Sequence, residues 1–152
     1  MASDTRTEKE KMLAGELYNA FTPELLEGRA RCRELIYEFN LTRPKEEKKR
    51  REILDELLGK FGANSVIETP FQCDYGSNIY WGDNSFANYN FVILDVCEVR
   101  VGNYVLIGPD VKFYGATHPT DPQTRLDGLE YGKPIRIGNN VWIGGGSIIV
   151  AG

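Results

Sequence analysis

His118 is the only histidine in the chain, and it stands in FYGATHPTDPQ, residues 113–123, among small and turn-forming residues. Imidazole has an unperturbed pKa of about 6.5, close enough to neutrality to serve as a general base. Pro119 and Pro122 exclude regular helix and central strand, so a stiffened loop presents this base. Other chemistries lack their residues. Cys32, Cys73 and Cys97 form no CxxC pair, and with one histidine they make no zinc set. They read as reduced thiols, and no metal is expected.

The flanks that hold this loop are repetitive. From about residue 62 an apolar residue followed by glycine recurs every six positions: Tyr75-Gly76 and Trp81-Gly82, Val101-Gly102 and Ile107-Gly108, Ile137-Gly138 and Ile143-Gly144. The same frame reaches Ala87 and Ile93, slips by two residues before Val101, and continues to Phe113 and Ile149. Four residues after successive frame positions stand Ile79, Ser85, Phe91, Cys97, Val105, Val111, Val141 and Ser147. None is charged, as a second inward position in a narrow coil requires. A hexapeptide period points to a parallel β-helix, with three short strands per triangular coil and stacked coils burying one apolar column. Gly-Asn and Gly-Asp supply the positive-φ turns. A β-sandwich is the weaker alternative, since its strand and turn spacing runs nearer 8–12 residues. Cys73 and Cys97 fall on small inward positions as filler. Between Phe113 and Pro134 the rhythm fails, although Arg125 and Tyr131 keep the count. GATHPTDPQTRLDGLEYGK therefore reads as an excursion loop over about 114–134, with His118 anchored at its start; such departures from a rigid repeat often carry function.

Residues 1–61 read as a helical segment preceding a β-helix over 62–152. KEKMLAGELYNAF sets Met12, Leu13, Leu17 and Phe21 on one helical face. Thr22 is placed as an N-cap, with Pro23 and Glu24 in the first turn, before a stripe of Leu25, Cys32, Leu35, Ile36 and Phe39. A third helix from near Pro44 buries Ile53, Leu54, Leu57, Leu58 and Phe61. Its opening run, KEEKKRRE, mixes signs and reads as a solvated face. The composition is that of a soluble domain, at 41% hydrophobic and 26% charged. A net charge of -4 argues against nucleic acid or an anionic membrane as partner. No apolar run suits a bilayer or a signal peptide, which makes the cytoplasm the expected compartment.

In order along the chain, KEKMLAGELY, CDYG, FANYN, LDVC, ATHPTDP and GKPIRIGNNVWIGG closely resemble the maltose and galactoside O-acetyltransferases, with maltose O-acetyltransferase nearest. These are hexapeptide-repeat acyltransferases with a left-handed β-helix. The resemblance implies a homotrimer, with sites between subunits, that moves an acetyl group from acetyl-CoA to a sugar hydroxyl. Carried over by motif, His118 is the general base, and Asn88 contacts the acceptor or the transition state. Asp74 and Asp95 match acceptor-binding positions. Trp142, Gly144 and Gly145 lie on the acetyl-CoA side. Glu130, counted with the acceptor residues, or a loop carbonyl would hold the second imidazole nitrogen as a donor. With no cysteine matched to a nucleophile, direct transfer in a ternary complex is expected. Backbone N–H groups flanked by glycine can approach the developing oxyanion.

Two departures stand out. LYNAFTPE offers Asn19, Ala20 and Thr22, with no acid before Glu24, where the family commonly has an acidic acceptor-binding residue. The sugar therefore stays open. The chain also stops at SIIVAG, where the family continues through further coils and a cap, so the β-helix reads as truncated at its C-terminal end. A trimeric, non-catalytic scaffold lacking the coils that bind CoA is the alternative function. A metalloenzyme of the carbonic anhydrase type would need about three histidine ligands and is discounted.

Overall fold

The computed structural model describes residues 5–151; residues 1–4 and 152, the outer ends of the two expected segments, lie outside the described residues. The front comprises α1 (Glu8–Leu13), β1 (Tyr18–Asn19), α2 (Pro23–Asn40) and α3 (Glu47–Leu57). Then follow β2 (Lys60–Phe61), β3 (Val66–Ile67), β4 (Phe71–Cys73), β5 (Ile79–Trp81), β6 (Phe86–Ala87) and β7 (Phe91–Leu94). Next are β8 (Val99–Val101), β9 (Leu106–Ile107), β10 (Lys112–Tyr114) and β11 (Ala116–Thr117). The chain ends with α4 (Pro122–Leu126), β12 (Leu129–Gly132), β13 (Ile135–Ile137), β14 (Trp142–Ile143) and β15 (Ile148–Val150).

Twelve of these strands form three parallel four-stranded sheets: β2-β5-β8-β13, β3-β6-β9-β14 and β4-β7-β10-β15. Each coil contributes one strand to each sheet in turn, which makes a three-sided β-helix. Both inward positions read from the sequence are buried in the coil: Trp81, Ala87, Ile93 and Phe113 on the frame, and Ile79, Phe91, Val105 and Val111 four residues later, each at most 1% exposed. Phe71 and Phe91 stack at 5.9 Å, while Trp81 and Phe113 meet Phe91 edge-on at 5.8 and 5.0 Å. Such pairs add to plain apolar burial.

Two corners of the prism are tight and one is loose. At the first corner Asn64, Asn84, Tyr104 and Asn140 take positive φ; at the second, Asn90, Asp110 and Gly146 do. Close stacking at the first corner needs glycine, because a Cβ on Gly82 would lie 2.3 Å from the Gly102 carbonyl oxygen of the next coil. At the third corner the register shows surplus chain. Phe61, Trp81 and Val101 are successive register partners, twenty residues apart where three six-residue repeats would give eighteen. The slip seen before Val101 therefore also occurs one coil earlier. Tyr75-Gly76 imitates the frame, but Cys73 is the register partner of Ile93 and Tyr75 packs in a separate cluster with Met12, Tyr18 and Val96. The whole excursion leaves through this same corner. It is not a plain loop, because β11 and β12 pair antiparallel and β1 joins them in a three-stranded sheet. Pro122 sits at the first position of α4, where its missing N–H costs nothing. Arg125 and Tyr131 lie outside the coil.

The front differs from its expected form. The first helix stops at Leu13, and Gly15 turns the chain at φ 76°. Only Met12 of its expected stripe is buried; Phe21 is 70% exposed. Thr22 caps α2 through its backbone conformation, without a side-chain bond, and Phe61 belongs to β2 rather than to α3. Arg50 and Arg51, read as solvated, close the open edge of the first coil. Arg51 donates to the carbonyls of Phe61 and Gly62 at 2.7 and 2.6 Å, and Arg50 to that of Ile67 at 3.1 Å. Asn40 pairs with both the N–H and C=O of Phe71 at 2.9 Å. Every strand of that coil thus has a partner for its exposed backbone, which an open sheet edge requires. No described helix is long and apolar enough to cross a membrane.

Candidate active site

Surplus residues at the third corner stack into an acidic cluster. Asp74 follows β4, Asp95 follows β7, and the excursion follows β10, so three successive coils contribute to one edge. Asp95 is fully buried. Its Oδ1 accepts from the backbone N–H groups of Asp74 and Tyr75 at 2.9 and 3.0 Å, while its Oδ2 has no partner among the described residues. Burial pushes its carboxyl up to about 6; the Tyr75 amide bond opposes the rise and the charge of Asp74 adds to it. Asp95, expected from LDVC on the acceptor side, shapes the corner from behind Asp74 through these two backbone bonds. Asp74, half-buried in front of it, is also pushed up to about 6, by burial first and by nearby Glu130, against the pull of Arg29 and Arg33.

Glu130 lies on β12 in register with Tyr18 of β1, and the buried Tyr18 hydroxyl donates to Glu130 Oε1. Burial and this bond hold the phenol far above its ordinary pKa. Arg29 is committed elsewhere, donating to the Tyr75 hydroxyl and the Ala20 carbonyl, both at 2.7 Å. The carboxylates of Asp74 and Glu130 thus keep free acceptor oxygens among the described residues. His118 follows Thr117, the last residue of β11, which pairs with Tyr131, the neighbour of Glu130 in β12. The imidazole is exposed and has no hydrogen-bond or ion-pair partner among the described residues, while Glu130 Oε1 is taken by Tyr18.

The other expected residues occupy the second corner. Asn88 follows β6 and Gly144 follows β14, and the turns between them stack by backbone bonds: Asn88 N–H to Ile107 C=O, and Gly108 N–H to Ile143 C=O, both 2.9 Å. Asn88 Oδ1 accepts from the Tyr89 N–H at 2.8 Å, which leaves its NH2 group without an acceptor among the described residues. The N–H groups of Gly144 and Gly145 likewise donate to nothing described. Close stacking here suits glycine, because a Cβ on Gly108 would fall 2.5 Å from the Gly145 nitrogen. Trp142 beside them is 78% exposed. This edge presents neutral donors and an aromatic surface, suited to a polarised carbonyl and an apolar chain.

Two half-sites thus occupy two different edges of the prism, with the third sheet between them. Its strand β7 alone spans four residues, roughly 13 Å at 3.3 Å each. His118, Asp74 and Glu130 stand on one edge; Asn88, Trp142, Gly144 and Gly145 stand on the other. Tyr18 was not singled out from sequence, because a two-residue strand in a segment with helical spacing leaves no periodic signal.

Residues 11–62 match the family model described as the maltose acetyltransferase hexapeptide capping motif. Nodulation protein L of Rhizobium meliloti (strain 1021) is 47% identical over 148 residues, covering 97% of this chain and 81% of that protein. The crystal structure of a maltose O-acetyltransferase from Clostridium difficile 630 superposes with a TM-score of 0.96 at 47% identity, covering 98% of this chain and 80% of its own. A galactoside acetyltransferase in complex with coenzyme A matches with a TM-score of 0.86 at 37% identity, over 95% of this chain and 75% of its own. The coil shares the hand of these solved structures: it is a left-handed β-helix.

Proposed function

Because the chain belongs to the maltose and galactoside O-acetyltransferase family of hexapeptide-repeat acyltransferases, and is thereby an acetyltransferase, we propose that it transfers an acetyl group from acetyl-CoA to a sugar hydroxyl where two copies meet. The observation that supports this is the division of the expected residues between two edges of one prism. A homotrimer would bring the third corner of one copy against the second corner of the next. Support for association comes from the second sheet, whose outward register column is Val66, Phe86, Leu106 and Trp142. The matching column of the first sheet is Lys60, Tyr80, Arg100 and Arg136.

In this reading the acceptor lies against Asp74 and Glu130, whose free oxygens accept from neighbouring sugar hydroxyls. His118 takes the proton of the attacking hydroxyl as its oxygen forms a bond to the thioester carbonyl carbon. The resulting oxyanion is met by the side-chain N–H of Asn88 and the backbone N–H groups of Gly144 and Gly145 from the neighbouring copy. Collapse breaks the carbon–sulfur bond, and the departing CoA sulfur recovers the proton from the imidazolium. The ester and free CoA remain. No covalent enzyme intermediate forms.

Subunit mixing tests this directly. His118→Ala and Asn88→Ala are each expected to lower kcat at least about a hundredfold. Trimers formed randomly from equal amounts of the two variants would regain about a quarter of wild-type activity, since one site in four pairs an intact His118 with an intact Asn88 from its neighbour. No recovery in mixed trimers would place both residues in one copy and reject the composite site.

A further inference from the structure

We infer that Tyr18 is a positioning residue for the acceptor, holding Glu130 through its buried hydroxyl; this rests on the reading of Glu130 as an acceptor carboxylate. Tyr18 is 0% exposed and packs among Met12, Ala20, Leu25, Tyr75 and Val96. Its ring is fixed, and only its hydroxyl reaches the acidic edge. A buried phenol needs an acceptor, and a backbone carbonyl would suffice. Here the acceptor is Glu130 Oε1, beside Asp74 and next to the loop bearing His118.

This arrangement has a consequence for binding. A free glutamate samples many rotamers, and ordering one costs conformational entropy when a ligand arrives. The bond from Tyr18 removes that freedom in advance. A phenol donor to a carboxylate is also a charge-assisted bond, stronger than a neutral one. It occupies Oε1 and leaves Oε2 without a partner among the described residues, available to one acceptor hydroxyl. Arg29 does not share the task, because its bonds go to Tyr75 and Ala20. The N-terminal strand β1 thus contributes to acceptor recognition without touching the acceptor.

Tyr18→Phe in the full chain is the test, with sugar and acetyl-CoA varied separately. Removing a bond to a charged group should raise the acceptor KM roughly 10- to 30-fold, with the acetyl-CoA KM within about twofold. Glu130→Gln should lose a similar amount, and the double variant should be no worse than Glu130→Gln alone, because Tyr18 acts through Glu130. Unchanged acceptor KM in Tyr18→Phe, equal rises in both KM values, or additive losses in the double variant would each overturn the inference. If Tyr18→Phe fails to fold, 3,5-difluorotyrosine at position 18 keeps the ring and strengthens the donor; an acceptor KM that stays put would then refute it. A wild-type chain that acetylates no sugar rejects the proposed function itself. A sugar-active wild type with a normal Tyr18→Phe rejects this inference alone.

Discussion

Replacing Asp95 by asparagine should flatten the dependence of stability on pH. Asp95 is fully buried, and its carboxyl sits at about 6 against an ordinary 3.8. That rise is about 2 units, and at 1.36 kcal/mol per unit it corresponds to about 3 kcal/mol. A carboxyl raised in the native state keeps its proton after the unfolded chain has released it. Between about pH 4 and pH 6 the native protein therefore binds more protons, and stability falls as pH rises through that window and stays lower above it. Asparagine retains an oxygen for the two N–H groups of Asp74 and Tyr75 but cannot ionise. Urea unfolding of both proteins, followed by circular dichroism at one fixed protein concentration from about pH 4 to pH 8, measures the difference. Asparagine should gain about 2 kcal/mol on wild type between the acid and neutral ends, because the unfolded carboxyl has already released part of its proton at about pH 4. Asp74 titrates in both chains, so the difference reports Asp95 and its coupling to Asp74. Parallel curves would refute the claim that burial of this carboxylate opposes folding at neutral pH.

Arg51→Met should destabilise by roughly 2–3 kcal/mol, because the carbonyls of Phe61 and Gly62 lose a charged donor at the open end of the coil; chemical denaturation measures it. Leu106→Arg, at a position 53% exposed in the apolar column, should leave the fold intact and shift sedimentation from the proposed trimer to monomer. Cys32 and Cys97 are buried, and Cys73 has its thiol pushed well above the ordinary value by its hydrogen bond to Cys32 and by burial. All three should resist a thiol reagent at pH 8 until denaturant is added, as mass spectrometry would show.

The coil was legible because period is a global signal. Trp81, Ala87, Ile93, Val101, Ile107 and Phe113 are identified as inward by count alone, and the structure buries all six. The surplus after β4 was hidden because Tyr75-Gly76 looks like another frame pair, although the register assigns the position to Cys73. The charges of Arg50 and Arg51 suggested solvent. Their carbonyl partners belong to strands ten or more residues onward, a pairing that charge pattern cannot show. Tyr18 failed to register for a related reason: its partner Glu130 is 112 residues away. Motif resemblance picked out His118, Asn88 and Asp74 as candidates, but it could not separate Asp74 from Asp95. Both are aspartates after a strand, and only depth distinguishes the one that faces outward from the one behind it.

Because every extra residue exits along a single edge, the prism has one side where length is free and two where it is not. A residue added beside Gly82 or Gly108 would push backbone into backbone. Lengthening the segment between Tyr114 and Ile135 would leave the aromatic column untouched. Sequence can therefore drift at the acidic edge, while the edge bearing Asn88 and Gly144 is held to nearly one shape by the stacking of its own turns.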